Sequence, residues 1–229
     1  MSGLLPAAAL FDMDGLLVDT ESLWYVAETD LMVSLGVPWG PDHAAALVGG
    51  PLSRAIAYMV EHAGGDHSPD DLLADLVTRM ELLLRTEPVH WRPGARRLLG
   101  DLHRSGVPCA LVSASPRNLV DAVLDAVLHE VGDGAFVTTV ASDEGTRTKP
   151  FPDPYLLAAR RLGVDAREAV VLEDSPTGVA AGRAAGALVV AVPHVVPIEA
   201  GDGVRVVASL DDLTPELLGQ WSRDWAACA

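Results

Sequence analysis

Short, largely apolar runs alternate along this chain with longer stretches in which apolar residues recur every three or four positions. The apolar runs are residues 7–11, 108–112, 169–173, 187–192 and, more weakly, 204–207. Each leads into a turn or a helix signal, the pattern of strands buried on both faces of a parallel sheet. Prolines open the helical patterns between them. Pro93 precedes a helix over 94–103 that stops at Gly106, Pro116 opens 117–128, Pro154 opens 155–162, and Pro176 opens 177–185, which ends at Gly186. Strand, helix, strand at this rhythm predicts an α/β fold with a doubly wound, mainly parallel, Rossmann-like sheet.

One interval breaks the rhythm. Between Asp19 and Pro88 the pattern contains no convincing strand, only helical periodicity interrupted by Gly36, Gly49-Gly50-Pro51 and Gly64-Gly65. Leu23, Ala27, Leu31 and Leu35 recur every four residues, as do Leu72, Leu76 and Met80, with Leu83 following. The pattern predicts a second, all-helical domain over 18–88, inserted into a core domain of residues 1–17 and 89–229. Hinges are expected near 16–20 and 87–93.

Composition narrows the function. Against 32 Asp and Glu stand 16 Lys and Arg, a net charge of −16 over 229 residues. So acidic a surface repels phosphate backbones and disfavours nucleic acid or anionic membranes as partners. With 49% hydrophobic and 21% charged residues the chain is globular. Its two cysteines, Cys109 and Cys228, cannot form a disulfide framework or a zinc site. The N-terminal residues lack the basic region of a signal peptide, and no apolar run approaches the ~20 residues of a membrane span. The expectation is a soluble, cytoplasmic protein.

The chemistry gathers at strand ends. Phe11-Asp12-Met13-Asp14-Gly15 follows the first strand, and two carboxylates two residues apart face one side of an extended chain. Such a segment serves equally as a plain turn, but polar groups recur at the ends of other strands, where α/β sheets bind ligands. Ser113-Ala114-Ser115-Pro116 follows the second run and precedes a helix; a hydroxyl and free N–H groups there suit a phosphate, while Ser115 alone fits a helix N-cap. Glu173-Asp174 ends another strand. With Asp12 and Asp14 these acids form an oxygen ligand set suited to Mg²⁺, and without a cation they would repel one another. Lys149 lies in a proline-rich loop, and with Arg147 is one of two basic residues between Val137 and Ala159.

The ordered set Asp12-Met13-Asp14-Gly15, Ser113, Lys149-Pro150 and Glu173-Asp174 resembles the four motifs of the haloacid dehalogenase-like phosphohydrolases. The helical insertion after the first motif resembles the C1 cap of their subfamily I. The resemblance implies Asp12 as nucleophile and Asp14 as general acid and base. It implies phosphate binding by Ser113, Ala114 and Lys149, and Mg²⁺ held by Asp12, Asp14, Glu173 and Asp174. Within the family, the run from Asp12 to Trp24 is similar to bacterial phosphatases of 2-deoxyglucose 6-phosphate and hexitol phosphates. β-Phosphoglucomutase is the nearby alternative, with phosphatases of metabolites such as phosphoglycolate beyond it. Where the mutase pattern has a hinge histidine this chain has Trp24, and its cap loop, Leu47-Val48-Gly49-Gly50-Pro51-Leu52-Ser53-Arg54, lacks the mutase lysine. Both departures favour net hydrolysis of a small phosphorylated metabolite, and a monomer is the expectation for a capped enzyme of this size. Trp24, Gly49, Gly50 and Arg54 are the cap candidates for substrate contact, with packing for Trp24 and solvation for Arg54 as the plain alternatives. The seven histidines show no ligand spacing and are expected to be structural or exposed.

Overall fold

The structure is a computed structural model that describes residues 5–47, 52–64, 67–145 and 147–227. In chain order the elements are β1 (Ala8–Phe11), α1 (Glu21–Ser34), α2 (Pro41–Leu47), α3 (Leu52–Ala63), α4 (Pro69–Thr86), α5 (Ala95–Arg104) and β2 (Cys109–Val112). There follow α6 (Arg117–Val131), β3 (Thr138–Val140), α7 (Asp153–Leu162), β4 (Ala169–Glu173), α8 (Pro176–Ala184), β5 (Leu188–Ala191), β6 (Val204–Val206) and α9 (Pro215–Ala226). Two compact units result: Met1–Asp19 with His90–Ala229, and Thr20–Val89.

The first unit is built on a six-stranded sheet ordered β3-β2-β1-β4-β5-β6, in which every pairing is parallel. Its four inner strands are fully buried, and apolar up to Glu173 at the end of β4, because both faces are covered. Ala8, Leu10, Ala110, Val112, Val171 and Val189 bury one face against Tyr155 and Ala158 of α7 and Val179 and Ala181 of α8. The alternate residues Ala9, Phe11, Leu111, Val170, Leu172 and Val190 are equally buried, and α5 and α9 lie against β2 and against β4 and β5. Cys109 shares this environment, and burial pushes its thiol up to about 12, so it behaves as the small hydrophobe its strand position predicts. The edge strand β3 is missing from the hydrophobic pattern. Only three residues long, it carries two half-exposed threonines and leaves almost no apolar signature.

Strand order reverses at β1, which pairs with β2 on one side and β4 on the other. Phe11 stands opposite Leu111 and Leu172, so one residue further on Asp12, Val112 and Glu173 lie side by side at the strand ends. A crevice at such a switch point, outside the carboxyl ends of the strands, is where doubly wound sheets bind ligands.

The segments predicted as hinges are tied together. Asp19 N–H donates to the His90 carbonyl at 2.7 Å, Arg92 N–H to the Leu17 carbonyl at 3.0 Å, and Val18 bridges Trp91. Leu16, Leu17 and Val18 are buried, so the exit and return of the chain are clamped to the first unit.

The second unit is helical, with no strand among its described residues. α1 and α3 both pack on α4. Ala27, Leu31 and Met32 of α1 are buried, as are Ile56 and Met59 of α3 and Leu72, Leu76, Met80 and Leu84 of α4. Leu84 is buried where Leu83, here half-buried, was expected: the inward stripe of α4 keeps a spacing of four to its end. α4 begins with Ser68, whose hydroxyl accepts from the Asp71 N–H at 3.4 Å, and with Pro69 in its first turn. Among the described residues, no helix is long and apolar enough to cross a membrane.

Candidate active site

Lys149 is the centre of the crevice. Its side chain is 4% exposed, and its Nζ donates to Asp12 Oδ1 at 2.5 Å, to Glu173 Oε1 at 2.7 Å and to the Val112 carbonyl at 3.0 Å. These acceptors sit at the ends of β1, β4 and β2, so one ammonium ties the three central strands together. Three donors on an ammonium meet three acceptors, and no buried donor is left over.

Glu173 is fully buried and equally saturated. Its Oε1 also accepts from the Tyr155 hydroxyl at 2.7 Å, while Oε2 accepts from the N–H groups of Asp174 and Ser175 and from Ser175 Oγ at 3.0–3.1 Å. Gly178 makes this possible, since a Cβ there would lie 1.6 Å from Glu173 Oε1. Ser175 serves twice, because its hydroxyl also caps α8 by accepting from the Gly178 N–H.

Asp14 is held from the β2 side. Its Oδ2 accepts from Ser115 Oγ at 2.9 Å and from Ser113 Oγ at 3.2 Å, and Ser113 Oγ in turn accepts from the Ser115 N–H. Ser115 is therefore not the helix cap expected of it. The N-cap of α6 is Pro116, which offers no side-chain bond, and the Ser115 hydroxyl is spent on Asp14. Ala114, between the two serines, is exposed. Gly15 follows at φ +84°, and a Cβ there would fall 2.2 Å from Asp174 Oδ2, so the close passage of this turn requires glycine.

The electrostatics are lopsided. Asp12, Asp14, Glu173 and Asp174 bring four carboxylates to the cluster, against the one ammonium of Lys149. Burial pushes the Asp12 carboxyl well above the usual range against the pull of Lys149, and the neighbouring carboxylates add to the push. Burial and Glu173 raise Asp174 to about 8. Burial works against the charge of Lys149, but Asp12 and Glu173 outweigh it and keep the amine protonated. Asp12, Glu173 and Asp174 each offer an oxygen, all within 4.8 Å of one another. An all-oxygen set, buried but for the half-buried Asp174 and with surplus negative charge, fits a hard divalent cation such as Mg²⁺.

The structure thus brings Asp12, Asp14, Ser113, Lys149, Glu173 and Asp174 into one cluster from four separate stretches of sequence. The cap candidates belong to the other unit. Trp24 is half-buried in α1, Arg54 is exposed and donates to the Ala46 carbonyl, and Gly49 and Gly50 lie outside the described residues. Tyr155, Ser115 and Ser175 were not legible as site residues, since each reads as ordinary packing or capping until the fold aims its hydroxyl at a carboxylate. His194, expected with the other histidines to be structural or exposed, is half-buried. Its Nδ1 is buried without a hydrogen-bond partner, 3.4 Å from where a Cβ on Gly15 would stand.

Known proteins place this arrangement. Residues 6–186 match the haloacid dehalogenase-like hydrolases. A protein of Drosophila melanogaster named probable pseudouridine-5'-phosphatase is 34% identical over 217 residues, covering 92% of each chain. Hexitol phosphatase B of Escherichia coli is 33% identical over 191 residues, covering 81% of this chain and 83% of its own. The structure of CbbY from Rhodobacter sphaeroides in complex with phosphate superimposes with a TM-score of 0.73 at 28% identity, over 90% of this chain and 95% of CbbY. The ends of β1, β2 and β4, the lysine between them and the match over most of the sequence agree, and the chain belongs to the haloacid dehalogenase-like hydrolases.

Proposed function

We propose that this phosphoric monoester hydrolase acts on small sugar or polyol phosphates, with Mg²⁺ and through an aspartyl-phosphate on Asp12. The observation that carries the reading is the buried cluster in which Lys149 joins Asp12 to Glu173 at the switch point of the sheet. Names among the relatives, hexitol phosphatase above all, support the substrate class.

In this reading Asp12 attacks phosphorus, and its Oδ1 is kept in place by the Lys149 ammonium. Asp14, held by Ser113 and Ser115, gives a proton to the departing alcohol and later takes one from water. Ser113, Lys149 and the N–H group of Ala114 bind the phosphoryl oxygens. Asp12, Asp174 and the Asp14 carbonyl would hold the cation, with Glu173 behind them. When bound, Mg²⁺ supplies the positive charge that lets an anionic carboxylate approach an anionic phosphate. The helical unit is the cap that selects the leaving group, through residues among Trp24, Gly49, Gly50 and Arg54.

A panel of hexose, hexitol and glycerol phosphates, assayed for phosphate release with Mg²⁺ and with chelator, tests the reading. Release confined to the Mg²⁺ samples and strongest for sugar or polyol esters is expected. Release unaffected by chelator would overturn the metal assignment, and accumulation of glucose 6-phosphate from β-glucose 1-phosphate would replace hydrolysis by a mutase reaction.

A further inference from the structure

We propose that His194 is a positioning residue for Asp174, its Nδ1–H donating to the Asp174 carboxylate when that carboxylate holds the cation. The inference rests on the reading of Asp174 as a cation ligand and adds a partner to it.

Position comes first. His194 lies three residues beyond the end of β5, which pairs with β4 in the register Glu173 to Ala191. The residue after Glu173 and the loop after Ala191 therefore leave the same end of neighbouring strands. Gly15 supplies the second observation. A Cβ there would lie 2.2 Å from Asp174 Oδ2 and 3.4 Å from His194 Nδ1, so the carboxylate oxygen and the ring nitrogen flank the same small gap, open only because residue 15 is glycine.

The third observation is an unmade bond. His194 Nδ1 is buried and has no hydrogen-bond partner, a rare and unfavourable condition for an imidazole nitrogen. A nitrogen kept in this state beside a carboxylate points to a contact completed in another state of the site. Ligating carboxylates are held by outer hydrogen bonds of this kind.

The test is calorimetric titration of Mg²⁺ into wild type, His194→Ala, His194→Asn, His194→Gln and Asp174→Asn, with circular dichroism as the check on folding. His194→Ala should weaken Mg²⁺ binding about tenfold, the lower end for an outer-shell contact. His194→Asn, whose amide nitrogen reaches the place of Nδ1, should restore it, and His194→Gln, which reaches only the place of Nε2, should not. If His194→Ala fails to fold, the Asn and Gln variants carry the comparison. Unchanged affinity in His194→Ala, or equal affinity in the Asn and Gln variants, overturns the inference and leaves the metal reading intact. Wild-type affinity in Asp174→Asn overturns the metal reading itself.

Discussion

Replacing Lys149 by Met exposes how much of the core the ammonium holds together. The side chain is 4% exposed and bonded at 2.5 and 2.7 Å to two carboxylates that are themselves buried. Met preserves most of the volume, so packing changes little and the loss is electrostatic. Removing one partner of a buried ion pair costs about 3–5 kcal/mol, because the remaining charge stays buried and uncompensated. The variant can escape by taking up a proton instead: for a carboxyl of pKa about 4 at pH 7, that costs roughly 4 kcal/mol at 1.36 kcal/mol per unit. The two routes agree on the size of the effect. For a chain of this length about 2–4 °C accompanies each kcal/mol, so the melting temperature should fall by roughly 6–20 °C at pH 7 in chelator. The fall should be smaller at pH 5, where protonation is cheap. It should also be smaller in Mg²⁺, which replaces the missing charge and binds the variant more tightly. Phosphatase activity should drop by about two to three orders of magnitude, the usual loss for one donor to a developing oxyanion. Calorimetric melting at two pH values, with and without Mg²⁺, reads all of this. A melting temperature within about 2 °C of wild type in chelator would refute the reasoning, since it would mean the ammonium offsets no buried charge.

Three further outcomes are expected. Burial raises the Glu28 carboxyl in the helical unit from 4.5 to about 7, with Glu21 adding to the effect, so the folded state keeps a proton that the unfolded state loses. Stability should therefore fall between about pH 4.5 and 7 by ~1–2 kcal/mol after solvent screening, and Glu28→Gln should flatten that slope in pH-dependent denaturant titrations. Gly178→Ala, normally stabilising in a helix, should instead cost about 1–3 kcal/mol, because the added methyl displaces Glu173; unchanged chemical denaturation would contradict the packing described. Ser115→Ala should lower kcat for alkyl phosphates about tenfold while sparing 2,4-dinitrophenyl phosphate, whose leaving group needs no proton from Asp14. An equal loss on both substrates would assign Ser115 to phosphate binding instead.

The sheet and the helical unit were largely legible because burial on both faces writes itself as apolar runs, and an amphipathic helical unit as a helical stripe. The four motifs could be read for a related reason: Asp12, Ser113 and Glu173 each end such a run, and strand ends are where a parallel sheet presents polar groups. What the sequence could not show is how hydroxyls are aimed. Ser115 precedes a helix and looks like its cap, and only the parallel register of β1 and β2 brings Asp14 within 2.9 Å of it. Tyr155 sits on the inward face of α7 like any core aromatic, and its hydroxyl finds Glu173 eighteen residues away. Thr138–Val140 escaped because an edge strand need not be apolar. Contacts made across strands leave no periodicity to read.

The central claim is that Asp12 is the nucleophile. Wild-type enzyme mixed with a radiolabelled sugar phosphate and quenched in acid should carry label that hydroxylamine releases, mapped by mass spectrometry to the peptide containing Asp12. Asp12→Asn should carry none and release no phosphate. Label on another residue, or continued turnover by Asp12→Asn, would contradict the account.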